Sequence, residues 1–394
     1  MKGLTPWAFP YGCLRPNKCL EGGADMSKDM DRRDFLKTGA VTGTAFLAGD
    51  ILQKGGLAQG LVKVPKAEAA EVSGRTMRTI TIEEHFVTPD FVKVTGAPAT
   101  PMVAKLQNIA SDLGERRIAD MDAAGIDVQV LSLNAPGVQQ LDATEAVKLA
   151  HDSNDILADA VRRHPTRFAG FASLPTMSPE TAVEELDRTV RKLGFKGALI
   201  NGHTRGRYLD DKFFWPILER AEALQVPLYL HPTPPPRPVI EASYTGNFSA
   251  QVTNLLATSG WGWHIETAIH TLRIILSGAF DRYPRLQLII GHLGEALPFM
   301  LPRTDRQLTM AVTKLRRPIS AYLRENVYYT ISGFNFTPPF LDLFSEVGAH
   351  RIIFSADYPY GSMSEAHQFL DQLPVSPADK ERIAHGNAEL LLRL

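Results

Sequence analysis

From Thr79 onward, eight short runs rich in β-branched and aromatic residues alternate with stretches of helical period. They are TITIEE from Thr79, DVQVLSL from Asp127, RFAGFASL from Arg167, KGALIN from Lys196, VPLYLH from Val226, LQLIIGH from Leu286, NVYYTIS from Asn326 and RIIFSAD from Arg351. Helices are predicted between them, over Thr144 to Arg163, Pro179 to Leu193, Lys212 to Leu224 and His264 to Leu276. A strand that returns parallel to its predecessor needs a crossover of helical length, so this alternation predicts a parallel sheet covered by helices. Eight such units close on themselves, and the expected fold is an α/β (β/α)8 TIM barrel. In the last helix Ile265, Ala268, Ile269, Leu272, Ile275 and Leu276 recur at three and four, which predicts one buried stripe. No G-x-G-x-x-G follows the first strand and no Walker loop occurs, so dinucleotide and nucleoside triphosphate chemistry lose their main support.

A barrel with its helices needs about 250 residues, and this chain has 394. One catalytic domain over 79–394 and a leader over 1–78 account for the length. The net charge of -1 gives no bulk attraction to nucleic acid or to an anionic membrane, so no polyanionic partner is expected. Arg32-Arg33, then Phe35-Leu36, an apolar stretch from Val41 to Leu52 and Ala67-Glu68-Ala69 resemble a twin-arginine export signal with its cleavage site. Asp31 and Asp50 depart from that pattern, and Met26 and Met30 are alternative starts. The resemblance implies a mature chain beginning near Ala70 in the periplasm or outside the cell, with a cytoplasmic enzyme as the alternative. The apolar stretch is too short for a permanent membrane span. Both cysteines, Cys13 and Cys19, precede the cleavage site, so any metal in the mature chain is held by nitrogen and oxygen.

Polar residues stand where the apolar runs end: Glu83 and His85 on the first, His231 on the fifth, His292 on the sixth and Asp357 on the eighth. In a parallel barrel these ends share one rim, so residues far apart in sequence can meet around a single ion. Glu83 and His85 are two apart on a strand and share a face, while Glu84 points away and is assigned a structural role. Each alone has an ordinary explanation, as a buried histidine or a turn aspartate. Two connections, 86–114 and 232–262, exceed what a plain barrel requires, and either covers the site or builds an oligomer. The second opens on the polyproline-like run Pro232 to Pro238 and ends in Trp261-Gly262-Trp263. His203 is expected to be a solvated loop residue, and His151, His164, His264, His270, His350, His367 and His385 to serve surface or packing roles.

Six segments carry a further resemblance: EEHF at 83–86, LSLNAPGVQ at 131–139, GFKGALING at 194–202, YLHP at 229–232, the long stretch 266–305 and RIIFSADYP at 351–359. In combination they resemble the amidohydrolase superfamily, in its branch of metal-dependent nonoxidative decarboxylases acting on γ-resorcylate or 2,3-dihydroxybenzoate. The resemblance implies an amidohydrolase-like barrel in which Glu83, His85, His231 and Asp357 hold one divalent metal ion, Zn or Mn. It implies that His292 and Glu295 form a catalytic pair, and that Arg303 lies near the substrate carboxylate or the metal-bound anion. Many hydrolases of the superfamily carry H-x-H on the first strand, whereas Glu83 here adds a second carboxylate to Asp357. Two carboxylates formally cancel the charge of the ion, so bound water is polarised less and a chelating anionic substrate is favoured. The expected reaction is decarboxylation of a hydroxylated aromatic acid, with the ring protonated by Asp357 or His292. Phe86, Trp261, Trp263, Phe334 and Tyr358 are candidates for the wall that holds the ring. A metal-dependent hydrolase, a lactonase or amidase, is the alternative, and a homo-oligomer, dimer or tetramer, is expected.

Overall fold

A computed structural model describes residues 77–96 and 100–394. The expected export signal, its cleavage site and both cysteines lie outside the described residues. The strands are β1 Ile80–Phe86, β2 Val128–Leu133, β3 Phe168–Gly170, β4 Ala172–Ser173, β5 Ala198–Asn201, β6 Leu228–His231, β7 Leu288–Ile290, β8 Val327–Thr330 and β9 Ile352–Ile353. Every pairing is parallel and follows chain order, β1-β2-β3 and then β4 through β9. The predicted third strand is interrupted at Phe171: β3 pairs with β2 and β4 with β5, so one chain segment carries the sheet across both neighbours. Eight staves result. The seam between the first and last is closed without a regular ladder, by His85 N–H donating to Tyr358 O at 2.8 Å and Glu83 N–H donating to Ser355 Oγ at 2.8 Å.

Side chains from the staves fill the barrel with Ile80, Ile82, Val130, Phe171, Leu199, Tyr229, Ile289 and Ile353, and a larger apolar layer lies between barrel and helices. An irregularity in β1 sets the site. Thr81 lies opposite Gln129, but Glu84 lies opposite Leu131, so β1 carries one extra residue between them. A bulge of this kind reverses the alternation of faces. Ile80 and Ile82 point into the barrel before it; beyond it Glu83 and His85 do, while Phe86 packs outward beneath the helices.

The helices form where expected, with sharper ends. Ala143–Arg163 begins on Asp142, whose side chain accepts from Glu145 N–H at 3.0 Å, and Pro179–Leu193 ends at Gly194 in the left-handed region at φ 76°. The helix Gly262–Leu276 corrects the expected stripe: Ile269 is 46% and Leu276 38% exposed, whereas His264, Glu266, Thr267, His270 and Thr271 are buried. Of the expected stripe Ala268 and Ile275 are buried, and the polar residues that share their face adjoin groups that need hydrogen-bond partners. The two long connections are helical. The first holds Pro89–Thr95 and Pro101–Ala110, started by Thr88 and Thr100, and the second holds Arg237–Ser243 and Ala250–Ala257. Proline suits a first helical turn because its missing N–H would be unpaired there, which is how the proline run leads into a helix. Among the described residues no helix is long and apolar enough to cross a membrane.

Candidate metal centre

At the rim, Glu83, His85, His231 and Asp357 each offer one ligand atom, all within 4.8 Å of one another. His85 Nε2 is 3.1 Å from Asp357 Oδ1, and His231 Nε2 is 3.3 Å from Glu83 Oε1. Glu83 Oε1 and His85 Nε2 are buried and lack a hydrogen-bond partner. Buried polar atoms left unpaired are costly, and here they converge on one point, the arrangement a cation satisfies. The far side of each group is anchored. Glu83 Oε2 accepts from the hydroxyls of Tyr229, Ser332 and Thr330, the last at 3.0 Å. His231 Nδ1 donates to Pro232 O at 2.9 Å, which leaves Nε2 as the free lone pair facing the cluster. Burial pushes the His85 pKa down, against the pull of the neighbouring Asp357. Burial opposes ionisation of Glu83, yet His292, His231 and His85 together hold its carboxyl well below the usual range. Two imidazoles and two carboxylates without a thiolate fit Mn(II) or Zn(II). Close approach explains Gly291, where a Cβ would lie 2.8 Å from Glu83 Oε2.

Beside this cluster His292 is oriented by its own turn. Its Nδ1 is 2.8 Å from Glu295 Oε1, and its Nε2 faces Glu83 Oε1 and Asp357 Oδ2, each at 3.9 Å. Burial disfavours a charged imidazole here, but Glu295 and Glu83 outweigh it and raise the His292 pKa well above its ordinary value. The second oxygen of Glu295 meets His264 Nδ1 at 2.5 Å, so one carboxylate bridges two histidines. His264 had been assigned a packing role; its position on a helix gave no sign that it would meet a strand end. A short 3-10 turn, His292–Gly294, starts at His292. His292, Glu295 and Asp357 have φ of 51°, 55° and 62°, a left-handed conformation that costs a non-glycine residue about 1–3 kcal/mol.

The remaining candidates divide. Phe334 packs edge-on against both His292 and His264, with ring centroids at 5.2 and 5.1 Å. Trp263 is half-buried and donates from Nε1 to His264 Nε2 at 3.0 Å. Trp261 is 51% exposed, and Arg303 is exposed on the helix Leu297–Gln307. Neither is among the residues drawn together at the rim. Two others are turned elsewhere. Phe86 follows the outward face of β1 into the apolar layer, and Tyr358 sends its hydroxyl to Asp120 at 2.7 Å with the Arg117 guanidinium over its ring. His203 is buried, not solvated: its Nδ1 accepts from Gly206 N–H at 3.0 Å, its Nε2 faces Pro234 O at 3.2 Å, and burial pushes its pKa down to about 4. Tyr360 was not singled out by sequence. Its ring centroid is 5.9 Å from that of His85, and its hydroxyl oxygen accepts from Asn134 Nδ2 at 2.6 Å.

Comparison with known proteins adds to this geometry. The sequence profile of the family described as Amidohydrolase matches residues 104–394. A γ-resorcylate decarboxylase of Polaromonas sp. is 39% identical over 327 residues, covering 80% of this chain and 98% of that protein. Among solved structures, a dihydroxybenzoic acid decarboxylase of Polaromonas sp. with bound manganese and the inhibitor 2-nitroresorcinol superposes with a TM-score of 0.75 at 39% identity, over 81% of this chain and 98% of the other. A 2,6-dihydroxybenzoate decarboxylase in complex with 2,6-dihydroxybenzoate gives 0.73 at 35% identity, over 81% and 100%. With a family match over residues 104–394 and relatives of 35–39% identity covering 80–81% of the chain, the chain belongs to the amidohydrolase superfamily, in the group that contains the γ-resorcylate decarboxylases.

Proposed function

We propose that this protein is a metal-dependent nonoxidative decarboxylase of a hydroxylated aromatic carboxylic acid. The observation that carries this is the convergence of Glu83, His85, His231 and Asp357 beside the oriented His292–Glu295 pair. The activity of the relatives supports it, since they act on hydroxybenzoates. A bound divalent ion would supply positive charge to chelate the carboxylate and ortho hydroxyl oxygens of the substrate; the manganese in a relative favours Mn over Zn. His292 holds a proton at Nε2, with Glu295 fixing the other ring nitrogen. Delivery of that proton to the ring carbon bearing the carboxylate, directly or by way of Asp357 Oδ2 at 3.9 Å, forms the new C–H bond. The C–C bond then breaks, its electron pair restores the aromatic ring, and CO2 leaves. The sum is one carboxylate and one proton giving an arene and CO2. Phe334 offers an apolar surface to the substrate ring beside the two histidines.

Two further assignments accompany this one. The leader would export the folded enzyme, a reading supported by Arg32-Arg33 and Ala67-Glu68-Ala69. A homo-oligomer is supported by exposed Phe299 and Met300 on the helix Leu297–Gln307 and exposed Phe336 at the start of the neighbouring helix Thr337–Val347. The test of the activity is CO2 release from 2,6-dihydroxybenzoate and a panel of other hydroxybenzoates. Release from at least one is expected. Hydrolysis of lactones or amides without CO2 release from any acid would overturn the proposal.

A further inference from the structure

We propose that Glu84, the residue between two side chains of the metal centre, is a positioning residue that locks the Asp357 turn to β1 across the seam of the barrel. The β1 bulge turns Glu84 away from the barrel interior, where it is fully buried. Its Oε1 accepts from Ala356 N–H at 2.9 Å and from Ser355 Oγ at 3.2 Å, and its Oε2 accepts from Tyr358 N–H at 2.9 Å. Those two N–H groups belong to the residues on either side of Asp357. Burial pushes the Glu84 pKa up to about 7, against the pull of the same N–H groups. Each of its oxygens thus accepts one backbone N–H of the Asp357 turn.

The position matters because of what the seam lacks. Stave β9 is two residues long and pairs with β8, while towards β1 a regular ladder is missing. Side-chain bonds from Glu84 join the bonds from Glu83 N–H and His85 N–H in place of that ladder. Asp357 also holds a left-handed φ of 62°, a conformation that persists only where surrounding contacts enforce it. Arg117 braces the same seam from below: its Nη2 donates to His85 O at 2.8 Å, and its guanidinium lies 5.0 Å from the Tyr358 ring centroid. Across this seam His85 Nε2 and Asp357 Oδ1 face each other at 3.1 Å, the two groups that must share one cation. A slip of the last stave against the first would change that spacing directly. Glu84 therefore acts on the ion through Asp357 and does not touch it. The inference rests on the four residues forming the metal centre, and its test keeps the two claims apart.

The discriminating variant is Glu84→Gln, which keeps the shape but places an amide NH2 against one of the two backbone N–H donors. Mn(II) affinity would be measured by competition with a chromophoric chelator, the bound ion by EPR, and the melting temperature on metal-free protein. If wild type binds no ion, the metal centre itself is wrong, whatever Glu84 does. With wild type binding one ion per chain, Glu84→Gln is expected to weaken Mn(II) by roughly 10- to 100-fold, the range for groups that orient metal ligands, and to alter the EPR line shape. A lower melting temperature with wild-type affinity and spectrum would overturn the proposal, because a merely structural carboxylate predicts that pattern. Should Glu84→Gln fail to fold, Ser355→Ala carries the same test. It removes the hydroxyl between Glu83 N–H and Glu84 Oε1, and should shift affinity and spectrum in the same direction by less; unchanged values there would overturn the proposal equally.

Discussion

Glu295 joins His292 to His264: one carboxylate oxygen lies 2.8 Å from His292 Nδ1 and the other 2.5 Å from His264 Nδ1. Burial raises the Glu295 pKa, but the two imidazoles outweigh it and hold the carboxyl below its usual value. His292 is thereby fixed with Nε2 towards the metal cluster, which makes it separable from the ligands by mutation.

Replacing His292 by Asn should leave the ion bound and lower kcat by roughly 10² to 10⁴, the usual contribution of a positioned acid or base. Metal analysis and steady-state kinetics on one preparation check this. Loss of metal in proportion to activity would show that His292 is a ligand.

Glu295→Gln should lower kcat by roughly 10- to 100-fold, as loss of an orienting partner does in comparable sites. His264→Gln should lower it by less, since Glu295 keeps its bond to His292. Equal effects would make the three residues a single unit, and a silent His264→Gln would end the chain at Glu295.

Gly291→Ala places a methyl group 2.8 Å from Glu83 Oε2 in a fully buried site. Overpacking of this kind costs about 1–3 kcal/mol, and chemical denaturation should register that loss. Because the displaced atom belongs to Glu83, metal affinity should fall as well.

Exchanging Arg32 and Arg33 for Lys should trap an uncleaved precursor in the cytoplasm. Mass spectrometry of the protein from its native host reads the outcome. A dominant soluble form retaining Met30 to Ala69 would exclude processing of the leader.

Much of the fold was legible because eight strand–helix alternations leave few parallel closures, and because four ligand candidates end runs of apolar residues. The bulge in β1 was not legible. Simple alternation puts Glu83 and His85 on one face, but that face is opposite to the one shared by Ile80 and Ile82, and only the extra residue lets both pairs look inward. The same parity explains why Phe86 and Glu84 leave the site. His264 was missed because polar residues on the inner face of Gly262–Leu276 break the apolar signature used to find buried helix faces. Tyr358 was a candidate for the wall that holds the ring, yet its side chain turns to Asp120 and Arg117.

The most direct measurement is Mn(II) add-back to exhaustively chelated enzyme, with CO2 release from 2,6-dihydroxybenzoate followed as the ion is titrated. The account predicts negligible release without metal, a rise that saturates at about one equivalent per chain, and no recovery in His231→Ala at the same concentration. Full CO2 release from protein shown to be metal-free would contradict it.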